Sequence, residues 1–500
     1  MSEPAAHRFA YAFAKDAGVM LLGEADGRAV LGVRGRPTAA ALIEARRAAG
    51  RPVSIETLNP EDFERRLSET YAVAGVGADD LAEDLEARDD LAAIAEDLPQ
   101  TADLLDASDD APVIRLINAL FAEAVRGGAS DIHIEPFEQR LSVRLRVDGV
   151  MREIISLPAK VAPALVSRVK VMSRLDIAEK RTPQDGRLSI SLGGRGVDVR
   201  VSTLPARYGE RVVMRLLDKD RARLDINALG MPSEVLDPFK ELLRRPNGVI
   251  LVTGPTGSGK TTTLYAALSL LNETSRNILT VEDPIEYALE GVGQTQVNAK
   301  VGMTFAAGLR AILRQDPDIV MVGEIRDGET AQIAVQASLT GHLVLSTVHT
   351  NSAVGAITRL RDMGVEPFLL SSTVAGVLAQ RLVRRLCDAC KEPHEADATE
   401  LALMGARKNE KLTIHRPVGC AECGRSGYQG RLGVYELVTV DETLRRMIHD
   451  DASEQDIAAR AFAKGGGLAE SGFAHVRAGL TTIEEVLRVA RPEAADDAVV

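Results

Sequence analysis

Residues 254–261 read Gly254-Pro255-Thr256-Gly257-Ser258-Gly259-Lys260-Thr261, after the apolar run 248–252 and before Thr262 and a helix-forming stretch that reaches Leu268. A strand, a glycine-rich loop and a helix in that order are the setting in which this pattern cradles phosphate. The glycines let main-chain N–H groups wrap an anion, and the helix N-terminus adds a favourable dipole. Lys260 is placed to reach terminal phosphates, and Thr261 to offer its hydroxyl to Mg²⁺. Gly254 to Thr262 are therefore expected to bind a nucleoside triphosphate.

Phosphoryl transfer also needs one carboxylate on the metal side and another to orient the attacking water. Two acidic segments downstream offer them. Glu286 closes Glu282-Asp283-Pro284-Ile285-Glu286, and Glu324 ends the apolar strand expected over 318–323. Glu324 is read as the metal-side acid, with Thr261, and Glu286 as the acid for the water. Further on, His342 and His349 bracket a short apolar strand, where an imidazole can sense a phosphate or cap a strand. Sensing or coupling is favoured over proton transfer. Cations must gather over the developing charge, and Arg200, Arg215, Arg310 and Arg314 are candidates, though pattern alone favours a surface ion-pair partner for each.

All four cysteines fall in two Cys-x-x-Cys pairs, Cys387/Cys390 and Cys420/Cys423, separated by the segment 391–419. Four thiolates are the closed, tetrahedral ligand set of structural Zn²⁺. A redox role for one pair is the weaker reading, because both lie in turn-rich segments rather than at a helix start after a strand.

These residues need several domains to hold them, and 500 residues at 45% hydrophobic can bury more than one core. Residues 1–98 mix short strands (19–22, 29–33) with helical stretches (38–49, 60–71). From 79 to 110 thirteen Asp or Glu face only Arg88, which reads as a solvated acidic linker. Residues 111–220 carry a helix over 113–126, another over 158–175, and alternating strands at 131–134, 141–147 and 197–201, one face of which is rich in Arg. Residues 224–386 alternate strand and helix, with strands near 248–252, 278–281, 318–323 and 343–348, predicting a mostly parallel sheet with nucleotide at its carboxyl edge. Residues 387–434 form the cysteine insert and 435–500 a helical tail. No apolar run approaches the roughly 18 residues that a membrane span needs. The stretch from Met1 to Val19 lacks a cleavable apolar core. The expectation is a cytoplasmic chain whose membrane role runs through a partner. A net charge of −12 and 3% aromatics argue against a broad nucleic-acid interface, so no nucleic-acid partner is expected.

Together these segments resemble the secretion ATPases of type II secretion systems and type IV pili. The resemblance rests on the phosphate loop, the acidic box ending in Glu286, Gly323-Glu324-Ile325-Arg326-Asp327 and the histidine box at 341–350. Ser130-Asp131-Ile132-His133-Ile134-Glu135 and the run 200–215 add two further signatures. It implies an α/β chain, with a RecA-like P-loop motor, a PAS-like α+β domain before it, a small α/β docking domain and a four-cysteine zinc insert. It implies ATP as the nucleotide, Mg²⁺ and Zn²⁺ as metals, and a homohexamer in which Arg200 and Arg215 meet nucleotide phosphates as the PAS-like domain swings. Retraction motors and DNA-transfer relatives typically lack the cysteine insert. The short N-terminal region, with its 64–71 stretch, looks like the secretion branch, with pilus assembly as the alternative. In that branch residues 1–98 dock on a bitopic inner-membrane protein, the motor works beneath the inner-membrane platform protein of the same machine, and the chain is peripheral at the cytoplasmic face. A nucleic-acid translocase and a non-hydrolysing nucleotide-gated scaffold are the readings from other classes.

Overall fold

The computed structural model describes residue 14, residues 17–25, 27–35, 37–59, 62–63 and 66, and residues 110–490 apart from 193–194, 219–224, 408–409 and 464. The acidic linker expected over 79–110 lies almost wholly outside these residues, as does most of the helix expected over 60–71. The chain divides into two compact units, Met1–Asp220 and Arg221–Val500.

In the first unit, strands β1 (Val19–Ala25), β2 (Arg28–Arg34) and β3 (Val53–Leu58) form a small sheet in that order. β3 runs parallel to β2 after the helix Ala39–Ala49, a strand that the sequence reading did not pick out. Thr38 caps that helix by accepting from the Ala41 N–H at 3.2 Å, satisfying one of the donors that a helix start leaves without a partner.

The same unit holds a six-stranded antiparallel sheet: β4 (Ala129–Pro136), β5 (Arg140–Val147), β6 (Val150–Pro158), β7 (Gln184–Leu192), β8 (Arg195–Ala206) and β9 (Gly209–Asp218). Its spatial order is β6-β5-β4-β9-β8-β7. Alternation along the strands sends Ile132, Ile134, Val143, Val199, Val201, Val212 and Met214 into a core under the helices Asp110–Arg126 and Ala162–Met172. The other face keeps the charges. This is the α+β arrangement expected for residues 111–220, although the helix expected over 158–175 is shorter, because β6 extends to Pro158 and a single 3₁₀ turn follows it.

The second unit is built on a seven-stranded sheet of β10 (Gly248–Thr253), β11 (Ile278–Glu282), β12 (Gly293–Gln296), β13 (Ile319–Val322), β14 (Leu343–Val348), β15 (Val374–Leu386) and, beyond the short hairpin β16 (Glu392–Glu395) and β17 (Thr413–Arg416), β18 (Tyr428–Thr439). The order is β12-β11-β13-β14-β10-β15-β18, and only β18 runs antiparallel to its neighbour. Both faces are covered, so successive strand residues serve different cores. Val249, Leu251, Val320, Val322 and Val344 meet helices on one side, and Ile250, Val252, Met321, Leu343 and Leu345 meet helices on the other.

The four strands expected near the phosphate loop are present within a residue or two of their expected ends. β15 and β18 were not expected as sheet strands. Their long antiparallel pairing extends the motor sheet on either side of the cysteine segment, and β18 runs through the insert boundary expected at 434. The insert is thus a loop between two strands of the motor sheet. Its residues Ala396, Leu401, Met404 and Ile414 pack with Phe473, Val476, Ile483 and Val486 of the C-terminal helices.

Glu485, on the helix Ile483–Ala490, ties those helices to β15. It is 2% exposed and accepts from the Arg384 N–H at 3.0 Å, from Arg384 Nη2 at 2.7 Å and from Arg488 Nη2 at 2.8 Å. Burial opposes its ionisation, yet the two guanidinium groups and the amide hold its carboxyl at about 2, against an ordinary value of 4.5. A depressed carboxyl stabilises the fold above its unfolded value and ceases to do so as pH falls through the folded one. Glu485→Gln should therefore cost about 3 kcal/mol at pH 7, with the gap to wild type closing between roughly pH 4.5 and 2. Denaturant midpoints of both proteins across that range check this; a gap independent of pH would contradict it.

Candidate active site

The phosphate loop leaves the carboxyl end of β10, which is hydrogen-bonded on both sides, to β14 and to β15. Gly254, Gly257 and Gly259 take φ of 148°, 80° and 89°, backbone that side chains with a Cβ rarely adopt. A Cβ at Gly254 would stand 2.4 Å from the Gln380 carbonyl oxygen, so the loop is pressed against β15. Gly259 precedes the helix Lys260–Leu271 and supplies no side-chain cap, which leaves the N–H groups of the first turn for a ligand. Pro255, Thr256, Gly257 and Thr261 are exposed, whereas Ser258 is buried with its hydroxyl unpartnered. Thr262 is half-buried at the same turn.

Lys260 is 8% exposed. Its Nζ donates to the carbonyls of Gly254 at 2.8 Å and Pro255 at 3.0 Å, so the ammonium is folded onto its own loop. Burial lowers its pKa to about 8; the charge of Glu324 works against this and that of Arg381 with it. Glu324 stands just past β13, mostly covered, ion-paired with Arg326 and 3.4 Å from His349 Nε2. Burial and the nearby Lys260 push His349 below its ordinary value, which leaves it neutral at pH 7. Lys260, Glu324 and His349 thus converge at one edge of the sheet. Thr261 and Glu324 offer hard oxygen donors of the kind Mg²⁺ takes.

Glu286 lies at the same carboxyl edge, on the loop after β11, and its N–H donates to the Tyr265 hydroxyl at 3.2 Å. His342 is not brought to this edge. It precedes β14 at the sheet's opposite end, about 20 Å of strand from His349. Its Nδ1 lies 2.8 Å from the Ala337 carbonyl and 3.1 Å from the Thr340 hydroxyl, closing the end of the helix Gly328–Leu339. Arg310 pairs with Glu329 at 2.5 Å. Arg314 lies beyond the end of the helix Phe305–Ile312 and its Nη1 donates back to the Arg310 carbonyl at 2.9 Å.

In the first unit, β8 and β9 pair with Arg200 directly opposite Arg215. Arg215 Nε donates to Asp131 at 2.9 Å, and Arg144 grips Glu135 through two bonds of 2.7 and 2.9 Å. Arg211 pairs with Glu135 as well. Asp131, His133 and Glu135 alternate with the core residues Ile132 and Ile134, so the 130–135 signature supplies the acids that anchor an arginine-rich face.

The four cysteines come together. Their sulfurs all lie within 4.8 Å of one another, with Cys387–Cys420 and Cys390–Cys423 at 3.9 Å and Cys420–Cys423 at 3.8 Å. A tetrahedron of Zn–S bonds of about 2.3 Å has edges of about 3.8 Å, so the set has the size of a zinc site. The Gly419 N–H points at Cys390 sulfur from 3.3 Å, and the N–H groups of Cys420 and Gly427 point at Cys423 sulfur from 3.2 Å. Such outer donors steady thiolates around a metal. At Cys423 burial is outweighed by the Cys420 and Gly427 N–H groups, and the thiol falls to about 6. Cys387 follows the end of β15 and Cys423 precedes β18, so the metal would staple the base of that pair. Chelation should lower the melting temperature of the full chain and make four thiols reactive toward a thiol reagent; unchanged melting of verified metal-free protein would refute a structural metal.

Sequence reasoning missed the residues behind the phosphate loop. Gln380 Oε1 accepts from the Thr263 hydroxyl at 2.7 Å, and buried Arg381 donates to the Asn351 carbonyl at 2.6 Å. Buried Glu436 of β18 accepts from the N–H groups of Ala353 and Leu468 at 2.8 and 3.3 Å. Polar side chains in an otherwise apolar run, as in Gln380-Arg381, were the available signal.

A family model described as type II/IV secretion system protein matches residues 106–488, and one described as a domain of GSPII protein E matches residues 8–71. Type II secretion system protein E of Pseudomonas aeruginosa is 58% identical over 495 residues, covering 99% of this chain and 98% of the relative. Type II secretion system ATPase E of Vibrio cholerae is 58% identical over 452 residues, 90% of each. Among solved structures, the pilus retraction motor PilT with bound ADP is similar at a TM-score of 0.51 and 28% identity, covering 75% of this chain and 96% of that one. The Legionella pneumophila ATPase DotB, at 0.56 and 20% identity, covering 78% and 98%, shares the fold. With a glycine loop at the carboxyl edge of a RecA-like sheet, an acid and a histidine beside its lysine, and this likeness along its length, the chain belongs to the type II/IV secretion ATPase family, in its type II protein E branch.

Proposed function

We propose that this chain hydrolyses ATP with Mg²⁺ to drive pseudopilus assembly and protein export by a type II secretion system, as a homohexamer at the cytoplasmic face of the inner membrane. The observation that carries the chemistry is the convergence of buried Lys260, Glu324 and His349 at the mouth of the glycine loop. No helix among the described residues is long and apolar enough to cross a membrane, which fits a motor that works through partners. Residues 1–98 would dock on a bitopic inner-membrane protein, and the match of residues 8–71 to a domain of GSPII protein E favours this secretion reading over pilus assembly.

In the reaction, Gly254 to Thr262 hold the triphosphate, and Lys260 exchanges its two carbonyl acceptors for phosphate oxygens. Thr261 and Glu324 would hold Mg²⁺, which would supply positive charge to offset that of the phosphates. Glu286 orients a water and takes its proton as the water oxygen bonds to the γ-phosphorus. The bond from that phosphorus to the β-phosphate oxygen breaks, and ADP and phosphate leave. The family resemblance would give Arg200 and Arg215 the role of adding charge at the phosphates. His349 senses the γ-phosphate beside Glu324, while any coupling through His342 runs along the helix that it caps or to a second copy.

Lys260→Ala, Glu324→Ala and Glu286→Gln should each cut turnover about 100-fold or more, and near-normal phosphate release in any of them removes that residue from the mechanism. With the pKa of Lys260 near 8, ATP affinity should be flat below that pH and fall up to about tenfold per unit above it, because only the ammonium binds phosphate. Titration of a fluorescent nucleotide from pH 7 to 10 reads this; Lys260→Arg should lose the dependence.

A further inference from the structure

The first and last acids of the acidic box, Glu282 and Glu286, stand in different surroundings. Glu282, the last residue of β11, is 3% exposed. It accepts from the Tyr265 hydroxyl, from Thr280 Oγ1 at 2.6 Å and from Gln294 Nε2 at 3.0 Å. Both carboxylate oxygens of Glu282 are thus engaged by side chains inside the protein. Its partners reach outward instead. The Tyr265 hydroxyl accepts from the Glu286 N–H at 3.2 Å. Gln294 donates to the Tyr287 carbonyl at 3.0 Å and accepts from the Leu289 N–H at 2.8 Å. The Tyr265 and Tyr287 rings meet edge to face at 5.7 Å between centroids.

Each side of residues 286–289 is therefore fixed by a side chain anchored on Glu282. Tyr265 adds a second link, since it sits on the helix Lys260–Leu271, whose first residue is the phosphate-loop lysine. That helix is packed through Leu264, Ala267 and Leu268 into the core, so a displacement at its phosphate end is carried rigidly to Tyr265.

We propose that Tyr265, Glu282 and Gln294 are positioning residues for hydrolysis, which hold the main chain of Glu286 and tie it to the phosphate-loop helix. This rests on the reading of Glu286 as the residue that orients water. The unit acts on the geometry of attack and not on nucleotide affinity, because none of its bonds involves the glycine loop. A main-chain shift of about an ångström at a water-orienting group is enough to cost about 100-fold in rate.

The test uses the full-length protein with its platform partners or lipid as needed for activity. Tyr265→Phe keeps the ring and its contact with Tyr287 and removes only the hydroxyl; Gln294→Ala independently releases Tyr287 and Leu289. Both should lower kcat about 10- to 100-fold while the Kd of a fluorescent ATP analogue stays within about twofold. Turnover within about twofold of wild type in both variants overturns the proposal. So does an equal loss of kcat and affinity, or loss of the folded protein in both, since the unit would then only hold the fold. Glu286→Gln separates the two levels. If it turns over normally, the reading of Glu286 fails; if it is inactive while Tyr265→Phe runs at full rate, only the positioning unit fails.

Discussion

The arrangement depends on one buried ammonium. Lys260 must sit close to a backbone that carries no charge of its own, and burial already brings its pKa to about 8. It is kept there by two loop carbonyls, by Glu324 nearby and by a glycine loop that allows so close an approach. A lysine with such weak company is poised for an anion, because phosphate oxygens replace carbonyl dipoles with full charges. The strand order follows from that need. β10 lies between β14 and β15, so the loop at its end is flanked by the His349 turn on one side and Gln380-Arg381 on the other.

Around this centre the motor sheet separates chemistry from support. The carboxyl edge carries Lys260, Glu324, His349 and the Glu286 loop, whereas the opposite edge carries His342 and the helix end that it closes. Behind the loop, β15 and β18 extend the sheet beyond the strands that chemistry alone would need. Their bonds through Gln380, Arg381 and Glu436 connect the phosphate loop to the helices Ala353–Asp362 and Leu468–Arg477. The cysteine cluster pins the far end of that pair. The phosphate loop is thus connected by hydrogen bonds to the C-terminal helices.

Much of the motor was legible because its signals are local. The phosphate loop is contiguous, and β10, β13 and β14 are apolar runs buried on both faces, flanked by glycine or acid. The cysteine pairs announce their own ligand set. β15 was not legible: its run includes Gln380, Arg381, Arg384 and Arg385, which read as surface, yet Arg381 is 6% exposed against the phosphate loop. Its first half pairs with β10, but beyond Ala379 it is held by β18 alone, across the whole segment 387–427, and no local pattern carries that information. Glu282 was passed over for the same reason, since its partners Tyr265 and Gln294 come from two other elements. The fate of Arg200 and Arg215 could be read only as far as their own face, where Asp131 and Glu135 organise the arginines.

A structure of the full-length protein with Mg²⁺ and a non-hydrolysable ATP analogue tests the central claim most directly. The account predicts β- and γ-phosphates inside the 254–261 loop, Lys260 Nζ released from the Gly254 and Pro255 carbonyls onto them, and the Glu286 carboxylate within hydrogen-bond reach of a water in line with the γ-phosphorus. Phosphates bound elsewhere, or Lys260 still closed on its own loop beside a bound nucleotide, would contradict it.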